Sequence, residues 1–173
     1  MPYQAGTCAG QIVVENKAGY LFVYDRDAIA DGPTQSLAIA DYGPEGELVG
    51  VPAWNPVTGM VYVSSPTDLT GGPYQHGLLA FSVGEDCMLH LAWQQTQGMN
   101  GFVVSSPTIA NGVVYYGDGP GSEVLALSAV TGDVLWRSAD VITAGIWGTP
   151  IVVNGRLYVG AWDNAVHAFA PAP

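Results

Sequence analysis

Positive charge is scarce in this chain. Lys17, Arg26, Arg137 and Arg156 are its four basic residues, set against 15 acidic ones, for a net charge of −11 over 173 residues. So few cations cannot track a phosphate backbone, which argues against nucleic acid as a partner. The same balance argues against docking on anionic lipid. Long apolar runs are missing too. Hydrophobic residues make up 49% of the chain, yet no run approaches the roughly 18 uninterrupted apolar residues of a membrane helix. They fall in short stretches cut by 23 glycines and 12 prolines, the texture of sheets buried on both faces. Helical apolar periodicity is absent, so almost no helix is expected. There are two cysteines, Cys8 and Cys87, neither in C-x-x-C spacing, so no zinc site is expected. Two readings of the pair stay open: a long-range disulfide in a chain that works outside the cytoplasm, and two buried free thiols. The opening stretch MPYQAGTCAG has neither the basic nor the apolar region of a signal peptide. Export would rely on a signal outside this chain.

What the chain does contain is a repeated phrase. Residues 52–93, 107–136 and 150–169 each run through a Pro, a Gly turn, an aromatic-containing β run, a second turn, and a short run ending in Ala plus a large apolar residue. The matching positions are Pro52, Pro107 and Pro150; Gly59, Gly112 and Gly155; Tyr62, Tyr115 and Tyr158; Ala80, Ala126 and Ala168. Pro107 and Pro150 lie 43 residues apart. Pro52 and Pro107 lie 55 apart, with the excess between Thr67 and His76 and in the stretch from Ser82 to Leu91. A period of about 40–50 residues with several short strands per unit is the sign of a propeller blade.

The expected fold is therefore all-β: a β-propeller of four-stranded antiparallel blades, with about four blades present and the first and last incomplete. One segment, 1–173, holds blades at about 8–41, 48–98, 102–138 and 145–171. Residues 12–25 align without gaps on 157–170, which makes the first blade a degenerate copy whose innermost strand is weak or missing. The inner strands of the other three are expected in VGVPAW, VVSSPTIA and IWGTPIVV. Fourteen strands follow, three in each end blade and four in each middle one. An open arc would leave two apolar blade faces uncovered. In order of expectation, further blades of a longer chain cover them, a second copy completes the ring, or the arc closes on itself as a small ring.

The element ALSAVTGDVLWR, residues 126–137, resembles the tryptophan-docking repeat of pyrroloquinoline-quinone-like propellers, A-x-D-x-x-T-G-x-x-x-W. Ala126, Thr131, Gly132 and Trp136 fit it, and Ser128 stands where the family prefers Asp. In that pattern Thr131-Gly132 turns the chain. Trp136 then stacks on the neighbouring blade with its indole N–H on backbone there, and Trp93 holds the equivalent place. The family contains quinone-dependent alcohol dehydrogenases and also propellers without quinone, so membership alone does not fix the chemistry. A working dehydrogenase would need a calcium site of carboxylate and amide oxygens, an Asp base, and in many cases a vicinal cysteine pair over the quinone. The chain has no Cys-Cys pair, and no such ligand set maps onto its inner-strand starts. No catalytic or metal-ligating residue is assigned.

The axial channel is where a propeller holds ligands, so the inner-strand starts are the candidate site. Ser105, Trp147 and Thr149 are the cofactor-binding candidates. Trp147 is the sharpest of them, because the repeat places Val49 and Val104 at its position. It either packs between blades or stacks on a planar quinone. Asp118 and Asp163 sit in matching turns and read as turn formers. The long 67–76 segment, with Tyr74 and His76, is either a packed rim loop or a partner surface. The expected function is a non-catalytic PQQ-like repeat module for binding or scaffolding, periplasmic or secreted, without a cofactor of its own. The alternative is a fragment of a quinoprotein alcohol dehydrogenase using pyrroloquinoline quinone with calcium.

Overall fold

The computed structural model describes residues 8–41, 50–96, 105–119 and 121–170. Val49, Val104, Pro120 and the closing Pro-Ala-Pro lie outside them. The described residues form fourteen strands in four antiparallel sheets. The first sheet holds β1 (Gln11–Glu15), β2 (Tyr20–Asp25) and β3 (Pro33–Ala38). The second holds β4 (Ala53–Asn55), β5 (Met60–Ser65), β6 (Gly77–Val83) and β7 (Leu89–Gln95). The third holds β8 (Thr108–Ala110), β9 (Val113–Asp118), β10 (Glu123–Ser128) and β11 (Val134–Arg137). The fourth holds β12 (Ile151–Val153), β13 (Arg156–Ala161) and β14 (Ala165–Phe169). Each sheet is a meander in chain order. Among the described residues helix is confined to single 3₁₀ turns at Ile29–Asp31 and Ala139–Val141. Among the described residues no helix is long and apolar enough to cross a membrane.

The inner strands are shorter than the sequence predicts. β4, β8 and β12 have three residues each and begin directly after Pro52, Pro107 and Pro150. Proline has no N–H to give to a ladder, so pairing starts one residue later. Two of the following turns are Asn-Gly hairpins with both φ values positive. Asn111 and Gly112 stand at 50° and 78°, Asn154 and Gly155 at 49° and 71°. That turn twist matches the flanking strands.

The sheets stack in chain order, with a separate core at each contact. Leu21 and Val23 of the first sheet meet Val61, Val63, Leu79 and Phe81 of the second. Tyr62, Leu78 and Ala80 on the second sheet's other face meet Val114, Tyr116, Leu125 and Leu127 of the third. Val124 and Tyr115 then meet Leu157, Val159 and Phe169 of the fourth. A middle sheet buried on both faces reads as a continuous apolar run, as in Gly77–Phe81 of β6, where all five residues are buried.

Polar ties cross each contact. The Gln35 amide accepts the Leu89 N–H and donates to the Leu89 carbonyl (2.8 and 3.0 Å). Gln11 donates to the Cys87 carbonyl at 2.6 Å. Cys8 and Cys87 are joined as a disulfide across the same contact, which resolves the cysteine pair left open above. The buried Tyr62 hydroxyl donates to the Ala129 carbonyl of the third sheet at 2.7 Å.

Two tryptophans of the middle sheets lie against the sheet that follows, and the expected bond from indole to backbone is missing at Trp93. Trp93 lies over the turn of the third sheet, where Gly132 stands at φ 77°. A Cβ on Gly132 would come within 2.6 Å of the indole. Ser128 closes this turn: its carbonyl accepts the Gly132 N–H (2.9 Å) and its hydroxyl the Thr131 N–H (3.2 Å). Trp136 meets Phe169 of the fourth sheet edge to face at 5.0 Å. The indole N–H of Trp93, however, is buried without a hydrogen-bond partner. The ring lies over a glycine turn and 5.8 Å from the Tyr62 ring, tilted by 49°, so it docks by contact and not through a bond to backbone. Gly132→Ala is expected to cost about 2 kcal/mol, from left-handed backbone strain plus displacement of Trp93, read as a lowered urea midpoint with an unchanged m-value.

Candidate functional site

The inner ends of the sheets bring together short polar side chains, and most are held by backbone. Ser105 is fully buried. Its hydroxyl donates to the Gly117 carbonyl (3.0 Å) and accepts the Gly117 N–H (2.6 Å). Ser64 donates to the Ser105 carbonyl at 2.8 Å, linking the second sheet to the third. The Val51 N–H donates to the Ser106 hydroxyl at 2.8 Å, a tie between the same two sheets. Thr108 donates to the Pro150 carbonyl at 2.6 Å, linking third to fourth. Thr149 is exposed.

Trp147 is half-buried and its ring lies 4.2 Å from that of Trp162, tilted by 43°. It folds over Gly145, where a Cβ would come within 2.3 Å of the indole. The Trp162 backbone N–H donates to the Gly145 carbonyl at 3.1 Å, holding the two segments together. The outcome is a tryptophan pair at the end of β13, with the Trp162 ring open to solvent. Of the three candidates, Ser105 is enclosed, Trp147 is shared between protein and surface, and Thr149 is free.

Glu15 is a further residue at these inner ends. It closes β1, and its carboxyl oxygens are buried without a hydrogen-bond partner. Burial pushes its pKa up to about 7; the Gly50 N–H, near the carboxyl but outside hydrogen-bond geometry, pulls the other way. A Cβ on Gly50 would lie 2.8 Å from this carboxyl and 3.4 Å from the Ser106 hydroxyl. A carboxyl from the first sheet and a hydroxyl from the third thus approach across a glycine of the second. One signal pointed to it: the repeat places Ser64, Gly117 and Gly160 where Glu15 stands.

The 67–76 segment is pinned to the rim. The His76 N–H and Nδ1 both reach Asp68 Oδ1 (2.8 and 2.7 Å). Thr67 donates to the Asp41 carbonyl at 3.2 Å. The Tyr74 ring packs 5.8 Å from Phe81 at the edge of the first core. Tyr74 and His76 thus both take part in holding the loop in place. The other two histidines follow a related pattern, Asp then His four residues on. Asp86 accepts the Met88 N–H in its turn and pairs with His90 at 3.0 Å. Asp163 accepts the Ala165 N–H and pairs with His167 at 2.8 Å. The His90 ring, and for Asp68 first the His76 N–H, hold these carboxyls below the usual range. For Asp163, desolvation pushes upward but the bonds from His167, Ala165 and Thr143 outweigh it. Asp118 accepts the Gly121 N–H at 3.1 Å within its turn.

An apolar cleft of about 600 Å³ opens between the third and fourth sheets, walled by Tyr115, Leu135, Trp136, Val152 and Phe169, with Arg156 at its margin. None of the three candidate residues lines it. Calcium takes 6–8 oxygen ligands. Among the described residues no three Asp, Glu, His or Cys side chains converge.

No protein-family model matches the sequence, and no curated protein matches it either. Solved structures do match. The computationally designed Ika4 protein aligns with 96% of this chain and 88% of its own, at 12% identity and a TM-score of 0.62. The quinohemoprotein alcohol dehydrogenase ADHIIG from Pseudomonas putida HK5 aligns with 92% of this chain and 32% of its own, at 16% identity and a TM-score of 0.52. BamB from Moraxella catarrhalis aligns with 92% of this chain and 54% of its own, at 15% identity and a TM-score of 0.47. This chain spans about a third of the dehydrogenase's length and about half of BamB's. The likeness to the first two is one of fold, and the dehydrogenase is a propeller protein.

Proposed function

We propose that this chain is a non-catalytic module of the PQQ-like propeller type, used for binding or scaffolding outside the cytoplasm. One observation carries the reading. The polar side chains at the inner ends, where a propeller would hold a ligand, are used to tie sheet to sheet: Ser64, Ser105, Ser106 and Thr108 all bond to backbone. Each such bond fixes the direction of the hydroxyl toward backbone, and Ser105 has both its proton and one lone pair committed to Gly117. The Cys8–Cys87 bridge supports an oxidising compartment, since disulfides persist there and are rare in the cytosol. Protein partners fit such a module better than nucleic acid, given the net charge of −11.

A second reading, a piece of a quinone- and calcium-dependent alcohol dehydrogenase, is favoured by one feature. The Trp147–Trp162 pair presents an aromatic surface on which a planar ring can stack. The two readings separate on gel filtration after mixing the chain with pyrroloquinoline quinone and calcium. The module reading expects no quinone absorbance to elute with the protein. A stoichiometric co-eluting chromophore, lost on Trp147→Ala, would overturn it.

A further inference from the structure

Every sheet uses its two faces in the same way. One face carries the side chains that meet the preceding sheet, and the opposite face those that meet the following one. Val63, Tyr116 and Val159 occupy equivalent places on the backward face of the second, third and fourth sheets, and all three are buried. Leu21, Leu78 and Val124 occupy equivalent places on the forward face of the first, second and third, and each is 0% exposed.

Two faces in this series have no neighbour. On the backward face of the first sheet, Val14 stands where Val63, Tyr116 and Val159 stand, yet it is 40% exposed. Around it Tyr20, Phe22 and Tyr24 form an aromatic row, with centroids 5.9 and 6.4 Å apart. On the forward face of the fourth sheet, Val166 stands where Leu21, Leu78 and Val124 stand, yet it is 73% exposed, with Ile151 at 59% and Val153 at 47%. The two ends of the chain therefore do not cover each other. Each free face has the composition of a sheet contact, and each is the kind of face that the other would receive next in the series.

We infer that a second copy of this chain covers both faces, its first sheet packing on the fourth sheet of the partner and its fourth on the partner's first. This rests on the propeller-module reading above and names the partner. The contact continues the one already made three times inside the chain. It is heterologous, and such contacts form rings when the rotation closes. Two copies make a ring of eight sheets, within the 4–8 blades usual for propellers, whereas three copies would exceed it.

Sedimentation equilibrium of the full 173-residue chain tests this. Twice the 18.0 kDa chain mass is expected. Val14→Asp and Val166→Asp alter residues exposed in the single chain, so the far-UV circular dichroism of each should match the parent. Each alone should sediment as a monomer. Mixed in equal amounts they should recover a weaker dimer, because one of the two contacts then pairs an intact face with an intact face. The milder Val166→Ala should raise the dissociation constant by about tenfold or more. A parent chain that remains at 18.0 kDa up to about 100 µM overturns the inference, since weaker self-association would be negligible in practice. So does a dimer insensitive to Val166→Asp, or a mass that continues to grow as a filament. A monomer that binds no quinone would remove only this inference. A dimer that carries quinone and calcium would remove only the module reading.

Discussion

Opening the Cys8–Cys87 bridge is expected to remove about 4 kcal/mol of stability, the largest effect of any single change considered. The bridge closes a separation of 79 residues, and in the chain-entropy account a loop of that size restrains the unfolded ensemble by roughly this amount. It also fastens the first sheet to the β6–β7 turn, beside the bond from Gln11 to the Cys87 carbonyl. Urea denaturation of the parent against Cys8→Ser/Cys87→Ser checks the magnitude. A loss below about 1 kcal/mol would mean that the unfolded chain is already compact around this loop. Amide exchange adds a positional readout: in the reduced protein, protection should fall first in β1–β3 and last in β9 and β10.

The second large effect is a pH dependence set by Glu15. Its pKa is about 7 in the folded chain against an ordinary 4.5. Between those values the folded state keeps a proton that the unfolded state releases, so raising the pH favours unfolding. Stability from this group is fully present below about pH 4.5, declines up to about pH 7 and is flat above. The difference amounts to about 3 kcal/mol. In Glu15→Gln this slope should vanish, and the gap between parent and variant should shift in the variant's favour as pH rises from 4.5 to 8. Asp68 and Asp86 act in the opposite sense and at lower pH, because their carboxyls are held below the usual range. A parent and a Glu15→Gln variant with parallel stability–pH curves would show that Glu15 ionises freely.

Much of this architecture is written locally. Pro52, Pro107 and Pro150 mark the last residue before each inner strand, and Asn111-Gly112 and Asn154-Gly155 mark hairpins. Such signals are legible because backbone chemistry at one or two residues decides them. Trp93 over Gly132 was legible as a motif, but its unbonded indole N–H was not, since a partner's presence depends on the neighbouring sheet. The same holds for the site. Ser105 lay at the expected inner end, but only the approach of Gly117 shows that its hydroxyl is occupied. Glu15 draws its character from burial under Gly50, 35 residues away in sequence. The Asp–His pairs were open to discovery from the four-residue spacing of Asp86 and His90 and of Asp163 and His167.

The separate cores have a consequence for how the molecule comes apart. Among the described residues each core joins one sheet to the next, so stability is close to a sum of local terms and nearest-neighbour couplings along a line. The couplings are unequal. Among the described residues nine buried residues form the first core and eight the second, but five form the third. The first contact also carries the disulfide, while the third has none. Unfolding should therefore start at the fourth sheet and travel toward the first, as a zipper opens from its loose end. A defect in the last core, such as Leu157→Ala, would spread no further than its neighbour before the next core arrests it.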